Sequence, residues 1–275
     1  MSRYQTKAIF DDRHLAILDI ETISGEEIPD DSFPPWATHV PVVASVLTAD
    51  LNLLDEWIFE MTSIRFGEDE EPFERLEGLL QGRSCVTFGG NNFDYRVLLL
   101  AAQGTRNYSL PALTAIATEP RYASAKNYDL ADKYSNHGAA RGCSLTMLCE
   151  ALGIAAKVSA HGLEVGELYD QGRTEEIVNY CEGDVLSTTL AMANYRAMEK
   201  GDPTYHASLT SQLVRWIHAQ GHDHLLPFAE IEGLGGLLGQ SLIAQIDAAN
   251  RQAQLDVDLL KKRALDATFG EIIHY

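Results

Sequence analysis

Two carboxylates lie two residues apart near the end of a short apolar run. The run His14–Ile20 (HLAILDI) is typical of a buried strand, and it contains Asp19, with Glu21 directly after its end. Because side chains alternate along a strand, Asp19 and Glu21 point to the same side. Two such carboxylates repel each other unless a cation lies between them. The pair therefore indicates a metal site, and the alternative is a strand that ends in a solvated acidic loop.

Two further segments place an acid beside an apolar element. Asp94 follows a strand and a Gly-rich turn and opens a helix, where an acid also complements the helix dipole. Tyr180 and Asp184 are four residues apart on a long helix, so they share a face that borders the core. Gly183, in the same helix, costs about 1 kcal/mol relative to Ala, which indicates that another group approaches closely. A hydrogen-bonded Tyr–Asp pair at the edge of the core is the alternative interpretation.

Taken in order, the three segments resemble the exonuclease motifs of the DEDD superfamily. The Tyr subclass fits, because the position where the His subclass carries its His is Asn179. More specifically, the chain resembles the predicted 3′–5′ exonucleases related to the proofreading domain of family B DNA polymerases, from about Leu15 to about Phe228. The motifs that carry this resemblance are Asp19-Ile20-Glu21-Thr22, Asn92-Phe93-Asp94, Tyr128-Asp129-Leu130-Ala131-Asp132, Ser144-Leu145 and Tyr180-Cys181-Glu182-Gly183-Asp184.

The resemblance implies a nuclease site that holds two divalent ions, Mg²⁺ or Mn²⁺. The implied metal ligands are Asp19, Glu21, Asp184 and, through water, Asp94. Carboxylate and water ligands suit such hard cations. Tyr180 completes the implied catalytic set by orienting the metal-bound water, since a phenol with a pKa of about 10 is a poor base. The residues implied to hold the 3′-terminal nucleotide are Thr22, Asn92 and Phe93.

The elements that position these residues are strands first, then alternating strands and helices, then helices. Strands are predicted at 14–20, 40–48, 53–59 and 84–88, and helices at 68–82, 93–103, 144–152, 163–169 and 174–200. Ser144 and Thr174 are predicted helix caps, and Gly201 is a predicted helix stop. The segment 108–142 reads as a long, partly looped connection, and the chain beyond Gly201 reads as helical.

This order of elements indicates an α/β or α+β protein. The resemblance selects the α/β class and implies a ribonuclease H-like fold, a central mixed β-sheet flanked by helices with a C-terminal helical extension. We expect an exonuclease domain over residues 1–228, with its core at about 14–200, and a helical extension over residues 229–275. Since only about fifty residues follow Phe228, we expect a stand-alone nuclease or one that proofreads or repairs in trans.

Composition limits the partners and the compartment. The chain has 275 residues and a formal net charge of −19, which argues against a protein that coats nucleic acid with clustered Lys and Arg. The longest apolar run is six residues, too short for a membrane span, and no signal peptide precedes the first strand. The four cysteines form no zinc or disulfide pattern. We therefore expect a soluble, cytoplasmic protein with reduced thiols and no membrane partner.

Two other clusters are given structural interpretations. The group His218, His222 and His224 superficially suggests a metal site, but Gly221 is expected to break the helix there, so a solvated polar turn is predicted. The Gly-rich segment 233–239 has its third Gly one position late for a dinucleotide fingerprint and follows no strand, so a helix junction is predicted.

The predicted function is a metal-dependent 3′–5′ exonuclease of the Tyr-type DEDD class. Its expected partner is the 3′ end of a single-stranded nucleic acid, DNA in preference to RNA, bound weakly because basic residues are few. Two alternatives stay open: an exoribonuclease with the same site, and a catalytically silent nuclease-fold module that binds a partner.

Overall fold

The computed structural model describes residues 10–25, 33–120, 122–155 and 165–272, with side chains as far as residue 263. The strands are β1 (His14–Ser24), β2 (His39–Leu51), β3 (Trp57–Arg65), β4 (Ser84–Thr87) and β5 (Asn127–Asp129). The helices are α1 (Pro72–Leu80), α2 (Asp94–Gly104), α3 (Pro111–Ala117), α4 (Leu130–Ser135), α5 (Leu145–Leu152), α6 (Val165–Asp170), α7 (Thr174–Lys200), α8 (Pro203–Gln220) and α9 (Leu234–Ile272).

The strands form one mixed sheet in the order β3-β2-β1-β4-β5. β2 is antiparallel to both of its neighbours, whereas β1, β4 and β5 are parallel to one another. Helices cover both faces of this sheet. The architecture confirms the predicted α/β class, with a central mixed sheet flanked by helices and with helices at the C-terminal end.

The two faces of β1 contact different helices, as the period of two along a strand requires. Leu15 and Ile17 pack with residues of α5, α7 and α8. Ala16 and Leu18 pack with residues of α1, α2 and α3 on the other face. Asp19 continues the first of these two series, so the strand directs its side chain towards the face that α7 covers.

The sequence predictions differ from the structure in the middle of the chain. The segment 108–142 contains α3, β5 and α4 in place of a long loop. β5 escapes detection because it is only three residues long and two of them, Asn127 and Asp129, are polar although buried. Alternation of polar and apolar residues cannot be recognised over so short a segment.

Strand ends also differ from the predictions. β1 continues beyond Ile20 to Ser24 because β2 supplies a hydrogen-bonding partner for the polar residues there. β3 begins at Trp57 and not at Leu53, since Asn52 Oδ1 accepts the backbone N–H groups of Leu54 and Glu56 and holds them in a turn.

Helix ends test the predicted caps. Ser144 caps α5 by accepting the Met147 N–H, and Gly201 ends α7 with a φ of 64°, both as predicted. Thr174 is not the N-cap of α7: Arg173 occupies that position, and the Thr174 hydroxyl donates to Glu68 instead.

The remaining expectations concern thiols, membranes and domains. All four cysteines are free thiols. Within the described parts of the chain, no helix has a stretch apolar enough and long enough to cross a lipid bilayer. The division of the chain into residues 1–228 and 229–275 stays a prediction.

Candidate active site

The first two acids lie side by side on β1. Asp19 is opposite Ser45 of β2 in the strand register, and the register shifts by one residue directly after Glu21. Oxygen atoms of Asp19 and Glu21 and the Cys181 sulfur of α7 all lie within 4.8 Å of one another. Glu21 is only 8% exposed, so this pair does not lie in a solvated acidic loop.

The other two acids of the motifs, Asp184 and Asp94, act electrostatically on Asp19. Burial raises the pKa of Asp19 well above its ordinary value. The negative charges of Glu21, Asp184 and Asp94 raise it further, in that order. Asp184 of α7 and Asp94 of α2 thus lie close enough for their charges to act on Asp19 of β1, and these two acids, with Asp19 and Glu21, are called the acid cluster below.

Asp94 is the first residue of α2 and follows the turn after β4. It is 6% exposed, and its Oδ2 atom has no hydrogen-bond partner among the residues that the structure describes. Burial, together with the negative charge of Asp129, raises the pKa of Asp94 to about 8. An ionised Asp94 thus needs a positive charge that the protein around it does not provide at Oδ2.

Tyr180 and Asp184 lie one turn apart on α7, as the spacing requires. The Tyr180 ring is buried, and burial raises the pKa of its hydroxyl above the ordinary value. The charges of Asp184, Glu21 and Asp19 raise it in the same direction. The phenol therefore stays protonated beside the acids and is available as a hydrogen-bond donor.

Cys181 is a neighbour of the acid cluster, and the sequence assigned it no role beyond its place in the motif Tyr180–Asp184. Its thiol donates to Asp19, with the sulfur 3.4 Å from the backbone oxygen and 3.5 Å from Oδ2. Burial raises the pKa of this thiol well above its ordinary value, and the charge of Asp19 adds to the effect. A protonated thiol is a donor and not a metal ligand. Its position directly after Tyr180 was the available signal.

The residues predicted to contact the 3′-terminal nucleotide lie beside the acids. The Thr22 hydroxyl is 2.7 Å from His39 Nδ1, and the His39 ring packs edge-on against Phe93 at a centroid distance of 4.9 Å. Thr22 and Phe93 are thus joined through His39, a residue that the sequence did not identify. Asn92 is exposed, and its backbone N–H donates to Gly89 in the turn before α2.

The motif Tyr128–Asp132, which received no role from the sequence, supports the turn before Asp94. The buried carboxylate of Asp129 accepts the backbone N–H groups of Gly89 and Asn91, both at 2.9 Å. It also accepts the N–H of Ala131 and so caps α4. The hydrogen bonds from Gly89 and Asn91 fix the turn that precedes Asp94.

The polar turn predicted around His222 is present, with Gly221, His222 and Asp223 exposed. His224 departs from the prediction, because it is partly buried and its Nε2 atom lies 2.8 Å from Glu182 Oε2 on α7. The expected helix break is present, since α8 ends at Gln220 and Gly221 has a φ of 69°. The sequence suggested a close approach at Gly183, and the ring of Phe228 makes it.

The donor set fits a hard divalent cation. Carboxylate oxygens of Asp19 and Glu21 lie together on β1, and burial and neighbouring acids raise the pKa values of Asp19 and Asp94. Among the described residues, none donates a hydrogen bond to the buried Asp94 Oδ2. Each of these features is relieved by a cation bound between the acids.

Comparison with known proteins identifies the family. A family model described as a predicted 3′–5′ exonuclease related to the exonuclease domain of PolB matches residues 31–231. The match covers more than half of the chain, so the chain belongs to this family. The matched residues include Asp94, Tyr180 and Asp184 and begin after Glu21. The resemblance stated from the motifs is therefore confirmed.

One solved structure and the curated proteins complete the comparison. The chain is similar to the family B DNA polymerase from the hyperthermophilic archaeon Pyrobaculum calidifontis, with 17% sequence identity and a TM-score of 0.48. The similarity covers 85% of this chain and 29% of that chain, so the chain spans less than a third of the polymerase's length. No curated protein matches the chain.

Proposed function

We propose that the chain is a metal-dependent 3′–5′ exonuclease of the Tyr-type DEDD class. It hydrolyses single-stranded DNA from the 3′ end and releases nucleoside 5′-monophosphates. The observation that supports this proposal best is the electrostatic coupling of Asp19 to Glu21, Asp184 and Asp94 beside a buried Tyr180. Membership of a family related to the exonuclease domain of PolB supports DNA as the substrate.

The metal-binding residues in this proposal are Asp19, Glu21, Asp184 and Asp94. Two divalent ions, Mg²⁺ or Mn²⁺, would supply charge stabilisation for the attacking and leaving oxygens of an in-line displacement. The acids need such charge compensation, because burial and mutual repulsion raise the pKa of Asp19 and of Asp94.

The chain's own residues bind and orient the reactants. Tyr180 donates a hydrogen bond that orients the attacking water, because its raised pKa keeps the phenol protonated. Water adds to the scissile phosphorus, the bond from phosphorus to the 3′ oxygen breaks, and that oxygen takes up a proton. Thr22, Asn92 and Phe93 hold the departing nucleotide, and Phe93 offers its ring to the sugar or base.

Digestion of 5′-labelled single strands tests the proposal. Wild-type protein with Mg²⁺ or Mn²⁺ is expected to shorten DNA from the 3′ end, and chromatography is expected to find nucleoside 5′-monophosphates. Asp184→Ala and EDTA are expected to stop the reaction, whereas Glu150→Ala, an exposed acid on α5, leaves it unchanged. Circular single-stranded DNA resists an exonuclease and reports any internal cleavage.

The same assay separates the two alternatives. A 5′-labelled RNA of the same sequence that is cut faster than DNA would assign the site to an exoribonuclease. Absence of cleavage of both strands with both metals would contradict the nuclease and favour the silent binding module. Calorimetric titration with Mn²⁺ would then show whether the acids still bind metal.

A further inference from the structure

The turn segment between α8 and α9, His222–Ala229, lies against the stretch of α7 between Tyr180 and Asp184. His224 Nε2 lies 2.8 Å from Glu182 Oε2. A Cβ atom added at Gly183 would lie 3.2 Å from the Cζ atom of Phe228, which is nearly fully buried. Two adjacent helix residues therefore contact two residues of one segment.

Glu182 connects this contact to the sheet beside Asp19. Ser63 of β3 donates its hydroxyl to Glu182 Oε1 at 2.7 Å. The same hydroxyl is 2.8 Å from that of Ser45 on β2, and Ser45 is opposite Asp19 in the strand register. The hydrogen bonds thus run from the turn segment through α7 and across two strands to the strand that carries the first acids.

Helix geometry explains how the contacts at Glu182 and Gly183 fix the positions of Tyr180 and Asp184. Tyr180 and Asp184 share one face of α7, whereas Glu182 projects about 160° away from each of them around the helix axis. Gly183 projects between these two directions, about 60° from Tyr180. A helix that is tied at Glu182 on its opposite face and packed closely at Gly183 on its flank cannot rotate or slide without breaking those contacts.

We propose that His222–Ala229 positions the metal-binding face of α7, with His224 and Phe228 as positioning residues that act through Glu182 and Gly183. Neither residue is expected to contact substrate or metal. The inference rests on the proposed function of the acid cluster, and it assigns to the segment after α8 a role in the chemistry of the nuclease site.

The first test is a crowding substitution and its relief. Gly183→Ala adds a methyl group against the Phe228 ring and is expected to weaken Mn²⁺ binding about tenfold, as losses in an outer ligand shell do. We expect kcat to fall with it, and KM for single-stranded DNA to stay unchanged. Phe228→Leu removes the Cζ and Cε2 atoms that the methyl group meets. The double variant is therefore expected to recover binding to within about twofold.

Matched controls separate positioning from general stability. Gly78→Ala in α1 adds a methyl group at a helical glycine with open space around it, so it should leave Mn²⁺ binding unchanged while raising the helix propensity of α1. His224→Ala should weaken Mn²⁺ binding, and His224→Gln should restore it by keeping a donor. His218→Ala should leave Mn²⁺ binding unchanged, since His218 is exposed on α8 and lies outside the proposed segment. Thermal unfolding checks that each variant is folded.

Mn²⁺ binding by calorimetry keeps this inference distinct from the proposed function. Wild-type protein that binds Mn²⁺ but cuts no strand would contradict the proposed function, and the variants would still test positioning. Unchanged Mn²⁺ affinity in both Gly183→Ala and His224→Ala would overturn the inference. Losses that add in the double variant instead of cancelling, or a wild-type protein that binds no Mn²⁺, would overturn it as well.

Discussion

The two ends of α7 both carry charged residues against the sheet, and they use them in opposite ways. At the far end, Arg196 bonds Asp12 and Glu199, and Lys200 pairs with Asp12. Burial alone would raise the pKa of Asp12, but the bonds from Lys200 and Arg196 lower it overall. At the near end, by contrast, burial and neighbouring acids raise the pKa of Asp19.

The difference separates a structural use of charge from a functional one. Acids paired with basic residues are ionised at lower pH than usual and stabilise the fold without further help. Acids gathered around one another destabilise the metal-free fold, and in the proposed function a bound cation compensates their charge. Substitution of an acid at the near end should therefore reduce cleavage and stabilise the metal-free protein. Substitution of a basic residue at the far end should reduce stability and leave cleavage unchanged.

The largest expected effect is at the near end. Asp19→Asn should reduce cleavage of single-stranded DNA at least about a hundredfold, because charge stabilisation of the displacement depends on this carboxylate. In EDTA the same variant should gain roughly 1–3 kcal/mol in free energy of unfolding, since it removes a like-charge contact. Urea unfolding and the cleavage assay measure the two effects, and a destabilised metal-free variant would contradict the comparison.

The effect of Mn²⁺ on protein stability is a second test of the near end. Mn²⁺ at a hundred times its dissociation constant should stabilise wild-type protein by about 2.7 kcal/mol, because only the folded chain presents the clustered acids. Asp19→Asn should lose most of this gain, and EDTA should reverse it in the wild type. Thermal unfolding with and without Mn²⁺ measures it, and equal stabilisation of both proteins would place the metal elsewhere.

At the far end of α7, a substitution should reduce stability and leave cleavage unchanged. Arg196→Met keeps an unbranched apolar side chain but removes the guanidinium, which lies over the Phe10 and Tyr128 rings and bonds Asp12 and Glu199. We expect a loss of about 2 kcal/mol in free energy of unfolding, as for other partly buried ion pairs that lose one member. Cleavage per folded molecule should not change.

A control for this variant lies on the same helix. Arg173 bonds Glu176 in an exposed pair at the start of α7. Arg173→Met should lower the free energy of unfolding much less than Arg196→Met does, because exposed pairs contribute little. If the two Arg variants lose equal stability, the far end is an ordinary surface and not a structural ion-pair cluster.

The near end was more predictable from the sequence than the far end. Alternation on β1 places Asp19 and Glu21 together, and a spacing of four places Tyr180 with Asp184, because both inferences need only local periodicity. Asp12 and Arg196 are 184 residues apart, and no local pattern relates them. The family resemblance supplied what periodicity could not, namely that Asp94 joins the same cluster.

The contacts that support the near end could not be predicted from the sequence for the same reason, because they join residues far apart in the chain. Glu182 meets Ser63 and His224 across 119 and 42 residues of sequence, and each of these residues alone reads as an ordinary polar position. Gly183 was the exception. A glycine within a long helix costs stability, so it signalled a close neighbour without identifying Phe228.

The smallest expected effect is the pH dependence of stability, and it depends on the sign of each shift. Asp12 and Glu199 have pKa values lowered from 3.8 and 4.5, so their stabilisation is complete above those ordinary values and is lost as the pH falls through the lowered ones. Between pH 5 and pH 3, wild-type protein should therefore lose more stability than Arg196→Met, by under about 1 kcal/mol for these partly exposed groups.

The difference in stability between wild type and Arg196→Met reports on the far end alone. Asp19 and Asp94 have raised pKa values. In EDTA they therefore destabilise the fold increasingly as the pH rises from their ordinary pKa values towards the raised ones. Both proteins keep these acids, and their effect cancels in the difference between the two urea-unfolding series. Parallel pH curves for wild type and Arg196→Met would mean that Arg196 does not set the ionisation of Asp12 and Glu199.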